Sequence, residues 1–262
     1  MRPRFALATA FAIALIPAAA ASADPRPFTF VTDAYPMGKG DWEIEQWATY
    51  NGDFDADANA NGIEFRTEFE FGITDNFDLA FYFPEWTYSD DGDGWDTDFE
   101  GGAIEGIIYL SNPVTDFVGL ALYGEVKFRE DELEFEQKII LHKDVDEWTF
   151  AYNLVIETEI EGVFNSDEET EVEGVLEHTL GVSYRVAPDW GVGAEAVIES
   201  VYEDWDDYED TTVWAGPNVT YQGGKIGHGD TTWWATFSPL FQLTDNEEEP
   251  NLNFRLIAGL AF

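Results

Sequence analysis

Glutamate recurs at every second residue in several segments of this 262-residue chain, with basic residues at the same spacing. Within residues 132–142, for example, Glu132, Glu134, Glu136 and Lys138 occupy alternate positions. Because a β-strand points successive side chains to opposite faces, this spacing places all four on one face. Carboxylates around a passage favour cations, and bases opposite them create a field across it. The pattern therefore predicts a mainly acidic surface that selects solutes by charge.

The same count of faces along the chain yields the residues that we predict to line a lumen. The acids are Glu43, Glu45, Glu64, Glu68, Glu70, Asp78, Glu105, Glu125, Glu132, Glu134, Glu136, Glu157, Glu159, Glu173, Glu177, Glu195 and Glu199, and the bases are Arg66, Lys127, Lys138, Arg185 and Arg255. We expect such a lumen to pass small cationic or neutral solutes. The alternative is that the charges pair and fill a narrow, non-conducting barrel whose acidic loops bind cations or surface partners.

A second group of residues matches the spacing of a calcium-binding loop, D-x-[DN]-x-[DN]-G-x5-E. Its members are Asp57, Asn59, Asn61, Gly62 and Glu68. An EF-hand needs flanking helices, whereas a strand is predicted from residue 62. Looser cation binding by acidic loops, including Asp91 and Asp93, fits better than an EF-hand. A solvated acidic surface is the interpretation that we adopt, so we predict no metal site.

A lipid hydrolase is a minor alternative. His178 and Ser200 fall on the predicted lipid faces of two neighbouring strands. A serine–histidine pair also needs an orienting third group and an oxyanion hole, and no Asn or Asp stands on that face. We therefore predict no enzyme activity and no cofactor.

The elements that must position these residues are strands. Almost all of the chain after residue 40 alternates apolar and polar residues with period 2. Twelve such segments are predicted, at about 41–50, 62–73, 76–88, 99–110, 117–128, 132–142, 147–160, 171–186, 190–202, 211–221, 231–243 and 252–262. Their length matches transmembrane strands of about 9–11 residues, and short connections alternate with longer acidic ones, as in outer-membrane barrels.

These features predict an all-β fold, a single up-and-down antiparallel transmembrane β-barrel of about 12 strands. A water-soluble sandwich or barrel would show the same alternation with its faces exchanged. Opposed charges on the polar faces favour a wet lumen and hence the membrane barrel. So do aromatic residues near the strand ends, which are typical of membrane interfaces. The lipid bilayer is then a partner of the wall.

The ends of the chain indicate export and membrane assembly. Residues 1–23 have the layout of a secretory signal peptide, residues 24–40 form an extended leader, and residues 41–262 form the barrel. The chain has no cysteine, and its net charge of -42 argues against a nucleic-acid partner. The alternating stripe that ends in Phe262 resembles the C-terminal signature that the outer-membrane assembly machinery recognises.

Several phrases resemble the "MetA-pathway of phenol degradation" family of outer-membrane proteins. They are GKGDWEIEQWATY (38–50), FGITDNFDLAFYF (71–83), LSNPVTDFVGLALYGEVKF (110–128), QKIILHKDVDEWTFAYNLVIETE (137–159) and WAGPNVTY (214–221). The resemblance implies a transporter-like barrel in the bacterial outer membrane that passes small molecules. The chain departs from that family in its extreme acidity.

Overall fold

A computed structural model describes residues 26–53, 61–90, 94–164, 170–226, 231–247 and 249–262. These residues form twelve strands. Their bounds are β1 Trp42–Gly52, β2 Asn61–Thr74, β3 Phe77–Asp90, β4 Trp95–Ser111, β5 Gly119–Phe128, β6 Glu132–Val145, β7 Trp148–Glu161, β8 Glu171–Ala187, β9 Trp190–Glu203, β10 Asp207–Gly223, β11 Thr232–Gln242 and β12 Leu252–Ala261. The described residues contain no helix long and apolar enough to cross a membrane.

Each strand pairs antiparallel with the next, and β12 pairs with β1, which closes the barrel. In the closing pair Ile44 lies opposite Leu260 and Ala48 opposite Leu256. Closure leaves no strand edge unpaired, a requirement for crossing a bilayer by strands. The predicted up-and-down barrel of twelve strands is confirmed. We call the end that holds the start of β1 and the end of β12 the inner end, and the opposite end the outer end.

The two faces of the wall carry the predicted side chains. Leu122, Leu180 and Leu256 are each 43–44% exposed on the outside, whereas Glu45 and Glu68 are at most 1% exposed inside. A water-soluble barrel would bury the leucines and expose the glutamates. The wall thus presents an apolar surface outward and a polar surface to the lumen, as transmembrane barrels do.

Two strands extend further than the period-2 pattern predicts. β4 begins at Trp95 rather than near residue 99, and β10 begins at Asp207 rather than near residue 211. Polar residues continue the ladder there, for example Asp96 opposite Ser89. Main-chain pairing does not require an apolar face, so it continues past the apolar stripe toward the outer end.

Aromatic residues pack in pairs around the inner end. Trp42 stacks on Phe262 with ring centroids 4.0 Å apart, and Trp148 lies 4.7 Å from Tyr184 across β7 and β8. Rings at this level match the aromatic girdles that anchor barrels at a membrane interface.

Candidate functional site

The segment that precedes β1 folds back into the barrel. Residues 26–41 contain neither helix nor strand, and Gly40 N–H donates to the Gly72 carbonyl of β2 at 2.8 Å. Gly72 allows this approach, since a β-carbon there would lie 1.7 Å from the Gly38 carbonyl oxygen. From this point residues 26–37, here called the plug, follow the inside of the wall.

Polar side chains of the wall bind the main chain of the plug. The Asn153 side chain accepts from the Thr32 N–H at 2.7 Å and donates to the Thr32 carbonyl at 2.8 Å. The Ala34 N–H donates to His142 Nδ1 at 3.1 Å. Residues that bind the plug main chain lie on β3, β6, β7, β9, β10, β11 and β12, namely Asp78, His142, Asn153, Glu195, Asn218, Thr220, Thr236 and Arg255. Because buried main-chain groups need partners, these contacts hold the plug in one path.

Glu195 on β9 is the strongest of these anchors. Its carboxylate accepts the N–H of Thr29 at 3.0 Å and that of Phe30 at 2.7 Å. It also accepts the Asn218 amide at 3.2 Å and the Ser238 hydroxyl. Four donors on one buried carboxylate tie the plug to three strands of the wall.

We expect Glu195→Ala to loosen the plug. Hydrogen bonds to a charged group contribute about 1.5–3 kcal/mol each, and the substitution also leaves two main-chain N–H groups of the plug without acceptors. The open probability in planar-bilayer recordings should rise severalfold. Glu199→Ala is the matched control, because Glu199 lies two residues along the same face and forms no hydrogen bond with the described part of the plug. Equal behaviour of the two variants would contradict this role.

The apolar side chains of the plug fill the lumen. Phe28, Val31 and Ala34 are 1%, 4% and 0% exposed. Gly181 on β8 makes room for the Phe28 ring, since a β-carbon there would lie 2.7 Å from it. Toward the inner end a cavity of about 50 Å³ remains beside the plug, which is space for a few water molecules. The plug therefore closes the inner half of the barrel.

Arg26 joins the start of the plug to the opposite wall. Its guanidinium lies 2.8 Å from Glu45, 3.1 Å from Glu68 and 3.7 Å from Glu70. Glu45 and Glu68 are direct cross-strand neighbours, and like charges in such positions repel. Arg26 supplies the positive charge that lets these carboxylates share the lumen.

The outer half of the barrel holds a cavity of about 960 Å³, here called the vestibule. Plug residues from Arg26 to Thr32 form its floor, and Asp53 and Glu247 border it toward the outer end. Its volume lies within the usual range for small-molecule sites, about 300–1,000 Å³.

A row of directly opposed glutamates crosses the vestibule wall on β4, β5, β6 and β7. Its members are Glu105, Glu125, Glu136 and Glu157. Arg66 lies 3.3 Å from Glu125, and Lys138 lies 2.9 Å from Glu136. Glu157 has no hydrogen bond or ion pair with any described residue. The negative charges in the middle of the row are therefore neutralised by bases, whereas the carboxylate at its β7 end has no described partner.

Basic residues are concentrated in this cavity. Of the twelve lysines and arginines in the chain, six line it: Arg26, Arg66, Lys127, Arg129, Lys138 and Arg255. Lys127 lies 3.5 Å from Glu134, and Arg129 lies 2.6 Å from Glu132. The vestibule is thus a network of paired charges with a few unpaired ones.

Most of the predicted lumen residues come together here. Those of the predicted set that line the vestibule are Glu64, Arg66, Glu105, Glu125, Lys127, Glu134, Glu136, Lys138, Glu157, Glu159, Glu177, Glu199 and Arg255. Glu45, Glu68 and Glu70 instead bind Arg26, and Glu195 binds the plug. Arg185 lies exposed at the inner end, 3.2 Å from Glu147.

Two residues of the site, Arg26 and Trp47, were not predicted from the sequence. Trp47 lies inside the barrel among three guanidinium groups, with ring centroid distances of 5.3 Å to Arg26, 5.2 Å to Arg66 and 5.5 Å to Arg255. A signal existed, because Trp47 shares its face with Glu43 and Glu45 rather than with the apolar side chains of β1.

The predicted cation-binding loops are only partly visible. Asp57, Asn59, Asp91 and Asp93 lie outside the described residues, and Asn61 accepts a hydrogen bond from Tyr50 at 2.8 Å. Glu68, which would complete the calcium-loop spacing, is buried against Arg26. Any cation binding by these loops would therefore do without Glu68.

The serine–histidine pair does not form in the described structure. His178 Nδ1 lies 2.8 Å from the Tyr152 hydroxyl, and the Ser200 hydroxyl lies 2.7 Å from that of Thr211. Each group thus has its own partner on another strand, and the geometry gives no support to the hydrolase alternative.

The closed twelve-stranded wall with an apolar exterior and a polar lumen is the architecture of bacterial outer-membrane barrels. The chain belongs to a family of unknown function (DUF6662), whose model matches residues 20–253. The family named from sequence resemblance is thus not the one that matches, although the barrel fold that it implied is confirmed. No curated protein matches the chain.

Two solved structures share the fold. The COG4313 outer membrane channel from Pseudomonas putida F1 is 13% identical, with a TM-score of 0.58 over 87% of this chain and 97% of that one. The NanC porin is 11% identical, with a TM-score of 0.52 over 84% of this chain and 98% of that one. At these identities the similarity establishes the fold alone.

Proposed function

We propose that the protein is a channel in the bacterial outer membrane that passes small solutes and is closed at its inner half by the plug. Export by residues 1–23 and an orientation with the inner end in the periplasm belong to this proposal. The two similar structures, an outer membrane channel and a porin, support it. So does the sequence resemblance to the MetA-pathway family.

The proposal depends on the way in which the plug closes the barrel. Among the described residues, the plug is joined to the barrel through the chain at residues 38–41 and by non-covalent contacts, and a vestibule of about 960 Å³ lies directly above it. A barrel that served only as a scaffold would need neither a polar vestibule nor a removable floor.

We further propose that the channel prefers cations or neutral solutes. Glu157, Glu177 and Glu199 line the vestibule without a hydrogen bond or ion pair to any described residue. Unpaired carboxylates around a passage attract cations. Bases do not offset this preference, because five of the six in the vestibule are already paired with carboxylates.

Planar-bilayer recording across a salt gradient tests selectivity. We expect a cation-selective reversal potential, and we expect the combined change of Glu157, Glu177 and Glu199 to glutamine to move it at least halfway to zero. The control removes three exposed acids at the inner end, in Asp116→Asn, Glu147→Gln and Asp189→Asn, and should change selectivity less. Anion selectivity of the unmodified chain would contradict the proposal.

A non-conducting structural barrel remains the second candidate, and the buried plug is the observation that favours it. The two functions differ in one result. A chain that conducts neither with nor without residues 26–37 would be a structural barrel, whereas conductance on removal of the plug would identify a channel.

Phe262 is proposed as the signal that the assembly machinery recognises. In the folded barrel it stacks on Trp42, and its N–H donates to the Trp42 carbonyl at 2.9 Å. Phe262→Ala should reduce the heat-modifiable barrel in outer-membrane fractions severalfold. Phe254→Ala, which removes an aromatic ring from β12, the strand that Phe262 directly follows, is the control and should have the smaller effect; equal yields would oppose the proposal.

A further inference from the structure

Arg255 is the one base of the vestibule that forms no ion pair with a described carboxylate. Its Nε donates to the Thr49 hydroxyl at 2.9 Å, and its Nη1 donates to the Thr29 carbonyl at 3.2 Å. The guanidinium lies over the Phe30 ring at 4.2 Å. A guanidinium has five N–H donors, so Arg255 keeps donors for an anionic group in the vestibule.

Two carboxylates without a described partner line the vestibule together with Arg255. Glu177 on β8 and Glu199 on β9 are direct cross-strand neighbours, and neither has a hydrogen bond or ion pair with a described residue. Arg255 forms no ion pair with either carboxylate, nor with Glu64 of β2, which like Arg255 lies opposite Thr49 of β1. The vestibule thus holds separated, unpaired charges of both signs.

An apolar stretch of wall connects these charges. Val197 on β9 lies directly opposite Trp214 on β10, and both pack with Leu240 on β11 and with Phe30 of the plug. β12, which carries Arg255, is the next strand. These three wall side chains are at most 5% exposed, and the partly exposed Phe30 ring packs on them and under Arg255. The vestibule therefore presents a carboxylate, the Phe30 ring and a guanidinium in that order.

We infer that the vestibule binds an elongated zwitterion whose ammonium and carboxylate groups are separated by an apolar body. The ammonium group binds at Glu177 and Glu199, the apolar body lies on the Phe30 ring, and the carboxylate binds Arg255. A short apolar peptide with free termini has this chemistry. The inference rests on the proposed function, since it names the class of solute that such a channel admits.

Calorimetric titration of the full chain in detergent tests this with three ligands of the same carbon length. They are 6-aminohexanoate, hexylamine and hexanoate, which carry both charges, only the positive charge and only the negative charge. We expect 6-aminohexanoate to bind at least tenfold more tightly than either analogue. Equal binding of 6-aminohexanoate and hexylamine would make the vestibule a simple cation site and overturn the inference, as would no binding of 6-aminohexanoate.

Two variants assign the ends of the ligand. Arg255→Gln should abolish the preference for 6-aminohexanoate over hexylamine, and Glu199→Gln should weaken both. Arg185→Gln is the matched control, because Arg185 lies exposed at the inner end and outside the vestibule. If Arg255→Gln disturbs the plug through Thr29, the comparison of the three ligands on the unmodified chain still decides.

Failure of this inference is distinguishable from failure of the proposed channel. Calorimetry needs no membrane and no open plug, whereas conductance needs both. A chain that conducts but does not distinguish the three ligands would refute the solute class and leave the channel. A chain that binds 6-aminohexanoate but never conducts would refute the channel and assign the site to a non-conducting receptor-like barrel.

Discussion

Deleting residues 26–37 is expected to increase single-channel conductance severalfold. The deletion removes Phe28, Val31 and Ala34, which fill the inner half of the lumen, and it leaves the contact of Gly40 with β2. The twelve strand pairs of the wall do not involve the deleted residues. Water then replaces the plug and solvates the carboxylates that it covered. Planar-bilayer recording of both chains measures the effect.

A substituted plug controls for chain length. Replacing residues 26–37 by a Gly-Ser segment of equal length keeps the chain but removes every side-chain contact with the wall, and we expect it to conduct like the deletion. The barrel form of each protein is checked by heat-modifiable migration. A folded deletion variant with unchanged conductance would contradict closure by the plug.

Arg26→Gln is expected to open the channel intermittently. Removing one partner of a buried ion pair costs about 3–5 kcal/mol, and Arg26 serves three carboxylates, Glu45, Glu68 and Glu70. In the variant these carboxylates repel one another while the plug is docked, and water solvates them once the plug is released. The docked plug is therefore destabilised relative to the released plug. Because about 1.4 kcal/mol corresponds to tenfold, the ratio of docked to released plug should fall by roughly a hundredfold to a few thousandfold.

Lys39→Gln is the matched control for Arg26. It removes the same charge from the leader, but Lys39 is exposed and outside the plug. Its open probability should match that of the unmodified chain. If the two variants have the same raised open probability, the effect would come from net charge rather than from the ion pairs of Arg26.

The wall was predictable from the sequence because its pattern is local. Leu120, Leu122 and Val126 alternate with Tyr123 and Glu125, which determines both the strand and its faces. The outer ends of β4 and β10 were not predictable in this way, since main-chain pairing there continues through mainly acidic segments in which single aromatic residues, Trp95 and Tyr208, replace an apolar stripe.

The plug was not predictable, because its contacts join residues far apart in the sequence. Thr32 meets Asn153, and Thr29 meets Glu195, 121 and 166 residues away. Residues 26–37 have no periodicity of their own, and their partners are polar side chains of the kind that any wet lumen contains. Glu195 was predicted to face the lumen, but its role as an anchor depends on a segment that the pattern leaves undefined.

The pairing of charges in the vestibule was also not predictable from the sequence. Glu177 and Arg255 were both predicted to line the lumen, and the structure places both there. Pairing decides their chemistry, because Lys138 and Arg66 are neutralised by neighbouring glutamates whereas Arg255 is not. That difference arises from side-chain reach across the curved wall, which period-2 counting does not contain.

Thiol labelling tests most directly whether the plug occupies the lumen. The chain has no cysteine, so single cysteines introduced at Val31 and at Lys39 can be labelled with a water-soluble maleimide in the purified, folded protein. Val31 is 4% exposed, whereas Lys39 is exposed. The account predicts that Val31→Cys is protected and becomes reactive when Arg26→Gln is added, while Lys39→Cys reacts at once in either background. Equal, rapid labelling of both single-cysteine proteins would contradict it.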